Sequence, residues 1–284
     1  MQISHVSTSP HRVWRFVDSG PQPGATNMAL DMAMTQMVAE KKAPPTLRLY
    51  GWFPPAISLG YHQSENDVDV NRCRLDNIDV VLRPTGGRAI LHANELTYAV
   101  SIPPSSPFFH QDIQSVYEII SRCLVTSLKQ LGIDVDFERV KKTPKDFSRG
   151  ELSTLCYASS VQNEICLGRR KLVGSAQRRI QGSVLQHGSI LIGDEHLSIT
   201  NYLTAPNEAW RDRVRQYMQK NTISLNQVSD SAVAYETLAN TLFVGFQKEL
   251  EVELQRGDIS ETEWRRAKQL EKKFSILTNL RYDT

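Results

Sequence analysis

The stretch VVLRPTGGRAILHANELTYAVSI, residues 80–102, decides the class of fold. Val80, Val81 and Leu82 make a short apolar strand. Arg83 to Gly87 then forms a loop with two adjacent glycines. From Leu96 to Ile102 the apolar positions Leu96, Tyr98, Val100 and Ile102 repeat every second residue, the period of a strand. Upstream, residues 46–50 and 56–61 read as strands around a Pro-Pro turn, and residues 27–40 as a helix ended by Pro44-Pro45. A first strand over 13–17 is broken by Ser19-Gly20-Pro21. Downstream, Val116, Ile120, Leu124 and Leu131 share one face of a helix that Gly132 stops. Ile133, Val135 and Phe137 then alternate as a strand. A polar, basic loop covers 139–153, a strand–turn–strand covers 163–176, and a further strand covers 183–192. A helical pattern runs over 230–254, and Ser260 with Glu263 predicts a capping box that opens a last helix. Strands and helices mix without steady β-α-β alternation. The expected class is α+β, with helices packed on a mixed, largely antiparallel sheet. Residues 13–225 are expected to form the main domain, and 226–284 a helical part of it or a small appendage.

The 284 residues carry 33 Lys and Arg against 31 Asp and Glu, a net charge of +2 that argues against a dedicated nucleic-acid binder. The four cysteines (73, 123, 156 and 166) make no CxxC pair and no zinc-finger spacing, so neither a disulfide framework nor a metal site is expected. The N-terminus is too polar for a secretion signal, and no apolar run approaches the ~20 residues that cross a bilayer. A reducing cytoplasm, with no membrane partner, is the expected setting.

Three segments invite chemistry. In RPTGGR, residues 83–88, paired glycines let backbone approach a ligand closely, and their N–H groups can hold an anion or a carbonyl oxygen; the same pair also suits a plain turn. In KLVGSAQ, residues 171–177, Lys171 reads either as a lysine in a partly apolar pocket or as a solvated member of the basic run Arg169-Arg170-Lys171. Cys156, in STLCYASS (153–160), has the least core-like neighbours of the four cysteines; Cys123 lies in an amphipathic helix and Cys166 in an apolar strand. His187 in QHGS reads as a base or as a buried hydrogen-bonding ring. Two readings stay open on residues alone: an enzyme with a nucleophilic cysteine, or a binding module whose glycine-rich loops shape a groove.

These segments, with WRFVDSG (14–20), NMALD (27–31), RLYGWFPPA (48–56), ELTY (95–98) and LQHGSI (185–190), resemble the lipoate–protein ligase and octanoyltransferase family in the same order. The closest likeness is to its cysteine-dependent LipM-type branch. The resemblance implies a fold akin to the biotin ligase catalytic domain. It implies an acyl pocket lined by Arg83, Gly86, Gly87, His92, Gly174, Ser175, Ala176, His187 and Gly188, with Cys156 as the acylated residue and Lys171 as the family lysine. The implied activity is transfer of octanoyl from octanoyl acyl carrier protein, through a Cys156 thioester, to a lysine of a lipoyl domain of a 2-oxoacid dehydrogenase or of the glycine-cleavage H protein, in endogenous lipoate synthesis. No cofactor is required beyond the octanoyl-phosphopantetheine carried by the donor. The basic runs at 139–142 and 169–171 are expected docking points for these partners. An amidotransferase moving the acyl group between carrier proteins is the nearest alternative. An ATP-dependent lipoate ligase is less favoured, because Arg88 stands where ligases commonly carry a third glycine.

Overall fold

A computed structural model describes residues 12–108, 113–138 and 164–276; Cys156 and the basic run 139–142 lie outside them. Strands β1 (Val13–Gln22), β2 (Thr46–Trp52), β6 (Glu95–Ile102), β7 (Asp136–Glu138), β8 (Glu164–Leu167), β9 (Arg170–Ile180), β10 (Ser183–Leu191) and β11 (Glu253–Arg256) build the main sheet. Its order is β11-β1-β2-β6-β10-β9-β8-β7. The pairs β11–β1 and β1–β2 are parallel and the rest antiparallel, so the expected mixed, largely antiparallel sheet is present. A small sheet of β3 (Ala56–Leu59), β4 (Asp79–Leu82) and β5 (Ile90–His92), ordered β4-β3-β5, stands apart from it.

Helices cover both faces of the main sheet. Leu47 and Leu49 of β2, with Tyr98 and Val100 of β6, pack into one core with Val116, Ile120 and Leu124 of α3 (Ile113–Gln130) and Leu238, Leu242 and Phe246 of α5 (Tyr235–Leu250). The other face, with Tyr50, Ala99 and Leu185, meets Met28, Leu30 and Ala33 of α1 (Gly24–Ala39), backed by Ala267 and Phe274 of α6 (Glu261–Phe274). A helix enclosed in this way needs no single apolar stripe, which is why α1 shows no clean periodicity. A third core joins the small sheet to α2 (Val70–Leu75) and α4 (Glu208–Asn221) through Ile57, Cys73, Trp210 and Val214.

Helix α2 and strand β5 have no counterpart in the sequence reading, and three further elements depart from it. Strand β1 continues through Ser19-Gly20-Pro21 by a register shift between Asp18 and Pro21, with Gly20 at φ 61°. Helix α4 buries only Trp210, Val214 and Met218, a stripe too narrow to stand out in a charged segment. The helical pattern of 230–254 ends at Leu250, where Glu251 takes a left-handed conformation usual for glycine; β11 follows and pairs with β1. The capping box of Ser260 and Glu263 is present as expected.

Candidate active site

The small sheet folds over the α1-side face of the main sheet and leaves a narrow cleft. Met28 of α1, Tyr50 and Trp52 of β2 and Ile90 of β5 give it apolar walls. Ser58, Arg83, His92, Thr97, Ser175, His187 and Ser189 give it polar groups, and Gly174, Ala176 and Gly188 leave room beside the strands.

The RPTGG loop is tied down by its own arginine. Arg83 donates to the Ser58 carbonyl (2.8 Å), the Gly86 carbonyl (2.9 Å) and the Arg88 carbonyl (2.8 Å). The buried guanidinium thus holds the loop in shape and orders it against β3. Gly87 has φ 94°, open to glycine at little cost. Gly60 lies so close beneath that a Cβ there would sit 1.9 Å from the Gly87 carbonyl oxygen. Arg178 reaches from β9 to the Pro84 carbonyl at 2.7 Å.

A second network surrounds His92. Its ring stacks on Trp52, with centroids 4.0 Å apart and planes 10° from parallel. Nδ1 donates to Glu95 at 2.8 Å, and Nε2 lies 2.7 Å from the Ser58 hydroxyl. Glu95 also accepts from Thr97 (2.6 Å) and from Ser189, and Thr97 accepts from the Trp52 indole at 2.8 Å. Burial alone would raise the Glu95 carboxyl; the His92 charge and the hydrogen bonds from His92, Ser189 and Thr97 outweigh it and hold the group below the usual range.

A third network joins motifs far apart in the chain. Asp31 of α1 accepts from His187 Nδ1 (2.9 Å), Arg48 (2.7 Å) and Tyr50 (2.8 Å). His187 Nε2 lies 2.6 Å from the Thr85 hydroxyl of the RPTGG loop. Against the penalty of complete burial, the His187 hydrogen bond and the Arg48 charge keep the Asp31 carboxyl below its ordinary value. His187 is therefore the buried, hydrogen-bonded ring that its sequence allowed, and it also faces the cleft.

Lys171 is not a solvated surface lysine: it is 4% exposed, and its Nζ donates to Glu164 at 2.6 Å. It stands three residues before Gly174 on β9, about 10 Å along the strand. Among the described cysteines, Cys73, Cys123 and Cys166 are buried; burial pushes Cys73 up to about 12 and raises Cys123 well above a usual thiol.

Of the residues expected to line the pocket, Arg83, His92, Gly174, Ser175, Ala176, His187 and Gly188 meet at the cleft. Gly86 and Gly87 shape the adjoining loop and Lys171 lies further along β9. Sequence reasoning passed over Met28, Tyr50, Trp52, Asp31 and Glu95, although each stands in a segment carrying the resemblance. Ser58 carried no signal at all. Among the described residues no group of His, Cys, Asp and Glu is arranged to hold a metal ion.

Comparison with known proteins shows the family. The octanoyltransferase LipM of Geobacillus kaustophilus is 37% identical over 86% of this chain and 88% of its own. That of Bacillus subtilis is 33% identical over 88% and 91%. The fold is shared with a bipartite lipoate protein ligase from Thermoplasma acidophilum (TM-score 0.72, 23% identity, 93% of each chain). It is shared too with a lipoate-protein ligase A bound with ATP (TM-score 0.70, 23% identity, 91% and 94% of the chains). The lipoyl protein ligase A/B catalytic domain matches residues 23–247, and the chain belongs to that family, with the LipM octanoyltransferases among its relatives.

Proposed function

We propose that this chain is an octanoyltransferase of protein lipoylation that works through an acyl thioester on Cys156. One observation carries the reading: the RPTGG, KLVGSA and QHGS segments converge on a single apolar-walled cleft in a chain 33–37% identical to LipM octanoyltransferases. Met28, Trp52 and Ile90 offer an acyl tail the surface that removes it from water, at about 25 cal/mol per Å² buried.

The donor is octanoyl acyl carrier protein. The Cys156 thiolate adds to the donor's thioester carbonyl, and the pantetheine sulfur leaves as a thiolate and takes a proton. The acceptor lysine of a lipoyl domain or H protein then attacks the Cys156 thioester as a neutral amine. The carbon–sulfur bond breaks, the amide forms, and the amine proton ends on the departing Cys156 sulfur. Thioester to amide is downhill, so neither ATP nor a cofactor is needed. A free cysteine has only a few per cent thiolate at neutral pH, and the Lys171 ammonium would raise that fraction. Burial raises the Cys73 and Cys123 thiols, which disfavours either of them as the nucleophile. The expected compartment is the cytoplasm. Among the described residues no helix is long and apolar enough to cross a membrane.

The test supplies octanoyl acyl carrier protein and an unmodified lipoyl domain without ATP and follows acceptor mass. Octanoylation of the acceptor is expected. Modification only with ATP and a free acid would place the chain with the ligases. Modification only from octanoylated H protein would make it an amidotransferase.

A further inference from the structure

Glu164 and Lys171 form a buried ion pair. Glu164 opens β8, eight residues after Cys156, and β8 forms a hairpin with β9, where Lys171 pairs with Cys166 in register. The side chains are 9% and 5% exposed and 2.6 Å apart. Their surroundings leave little freedom. The Lys171 carbonyl accepts from Ile223 N at 3.0 Å, so the segment after α4 fixes the lysine's backbone. Tyr217 of α4 feels the charges of both partners. Thr222, next to Ile223 in that segment, bridges to Lys171 and is hydrogen-bonded to His196 at 2.8 Å.

A long lysine side chain has many rotamers, and burying it in one of them costs entropy. A carboxylate at hydrogen-bond distance selects one direction for the amine and compensates its charge. We infer that Glu164 is the positioning residue for Lys171, holding its ammonium in a fixed place at the start of β9, about 10 Å along the strand from the cleft-lining Gly174, for the acyl-transfer steps. Neither Glu164 nor Lys171 lines the cleft, and Glu164 acts through the lysine and not on the acyl group. The inference rests on the proposed use of Lys171 in octanoyl transfer.

The experiment compares Glu164→Gln, Glu164→Asp, Lys171→Ala and the Glu164→Gln/Lys171→Ala double variant in the full chain. Two readouts are taken. The first is amine-reactive labelling of Lys171, mapped by peptide mass. Labelling is expected to rise several-fold in Glu164→Gln and to return toward wild type in Glu164→Asp, which keeps the carboxylate. Unchanged labelling in a folded Glu164→Gln overturns the inference, and this result needs no activity. The second is steady-state transfer from octanoyl acyl carrier protein. Glu164→Gln is expected to lower kcat at least tenfold with KM within about twofold. In the Lys171→Ala background the same substitution should change kcat by less than twofold, because residues acting as a unit are non-additive. Equal fold-losses from Glu164→Gln in both backgrounds overturn it. If Lys171→Ala transfers octanoyl at the wild-type rate, the proposed role of the lysine fails, while the labelling still reports on the pair. If Glu164→Gln does not fold, Glu164→Asp carries the test: wild-type labelling and kcat are expected, and exposed, freely labelled Lys171 would overturn the inference.

Discussion

Replacing Asp31 with Asn tests the buried network that joins α1, β2, β10 and the RPTGG loop. The substitution keeps size and shape but removes one negative charge. It leaves the Arg48 guanidinium, 1% exposed, with the Ser19 hydroxyl and the Asn27 side chain and carbonyl as acceptors and no counter-ion. It also turns an acceptor of three donors into a group whose amide must face either Arg48, now at 2.7 Å, or both Tyr50 and His187, now at 2.8 and 2.9 Å. Removing one member of a buried ion pair costs about 3–5 kcal/mol. Total stability for such a domain is only about 5–15 kcal/mol, so the loss should be visible at once in urea. The expected result is a lower midpoint with an unchanged slope. Asp212→Asn is the control: its pair with Arg215 is exposed, at 61% and 37%, and should cost no more than about 0.5 kcal/mol. The pH dependence has a definite sign. A carboxyl depressed in the fold stabilises above its unfolded value, ~3.9, and loses that contribution as pH falls through the folded value. Wild type should therefore lose stability on the acid side more steeply than Asp31→Asn. An Asp31→Asn midpoint matching that of Asp212→Asn, with the same acid limb as wild type, would refute the reasoning.

Gly60→Ala should cost about 1–3 kcal/mol and disrupt transfer, because its Cβ meets the Gly87 carbonyl, whereas Gly86→Ala, with nothing within 4 Å, should leave thermal unfolding unchanged. Equal melting points for the two variants would contradict the loop's packing. Ile90→Phe narrows the cleft and should move kcat/KM from octanoyl toward shorter chains, by roughly tenfold or more for each methylene discriminated; an unchanged preference would show that this wall does not measure the chain. Cys73→Ala and Cys123→Ala should each still take up the acyl group, since both thiols are buried; loss of the adduct in either folded variant would count against Cys156.

The fold was readable where one face of an element is buried against a recognisable partner. Leu96, Tyr98, Val100 and Ile102 announced β6 because all four enter the α3–α5 core. The same logic failed for α4, whose three buried residues lie in a charged segment, and for β11, which only its pairing with β1 explains. At the site, the glycine motifs were visible as motifs, but their partners were not. Gly60 matters because of Gly87, and His187 because of Asp31 and Thr85, and such pairings join strands and helices that are distant in sequence. Lys171 was ambiguous for the same reason. Its neighbours Arg169 and Arg170 look solvated, yet the β8 hairpin turns its side chain onto Glu164.

The central claim is the Cys156 thioester, and weighing the intact chain after exposure to octanoyl acyl carrier protein tests it most directly. A single added octanoyl group is predicted, removed by neutral hydroxylamine, located by peptide mapping to Cys156 and absent from Cys156→Ser. No adduct on wild type while the acceptor is still octanoylated, or an adduct that persists in Cys156→Ser, would contradict the account.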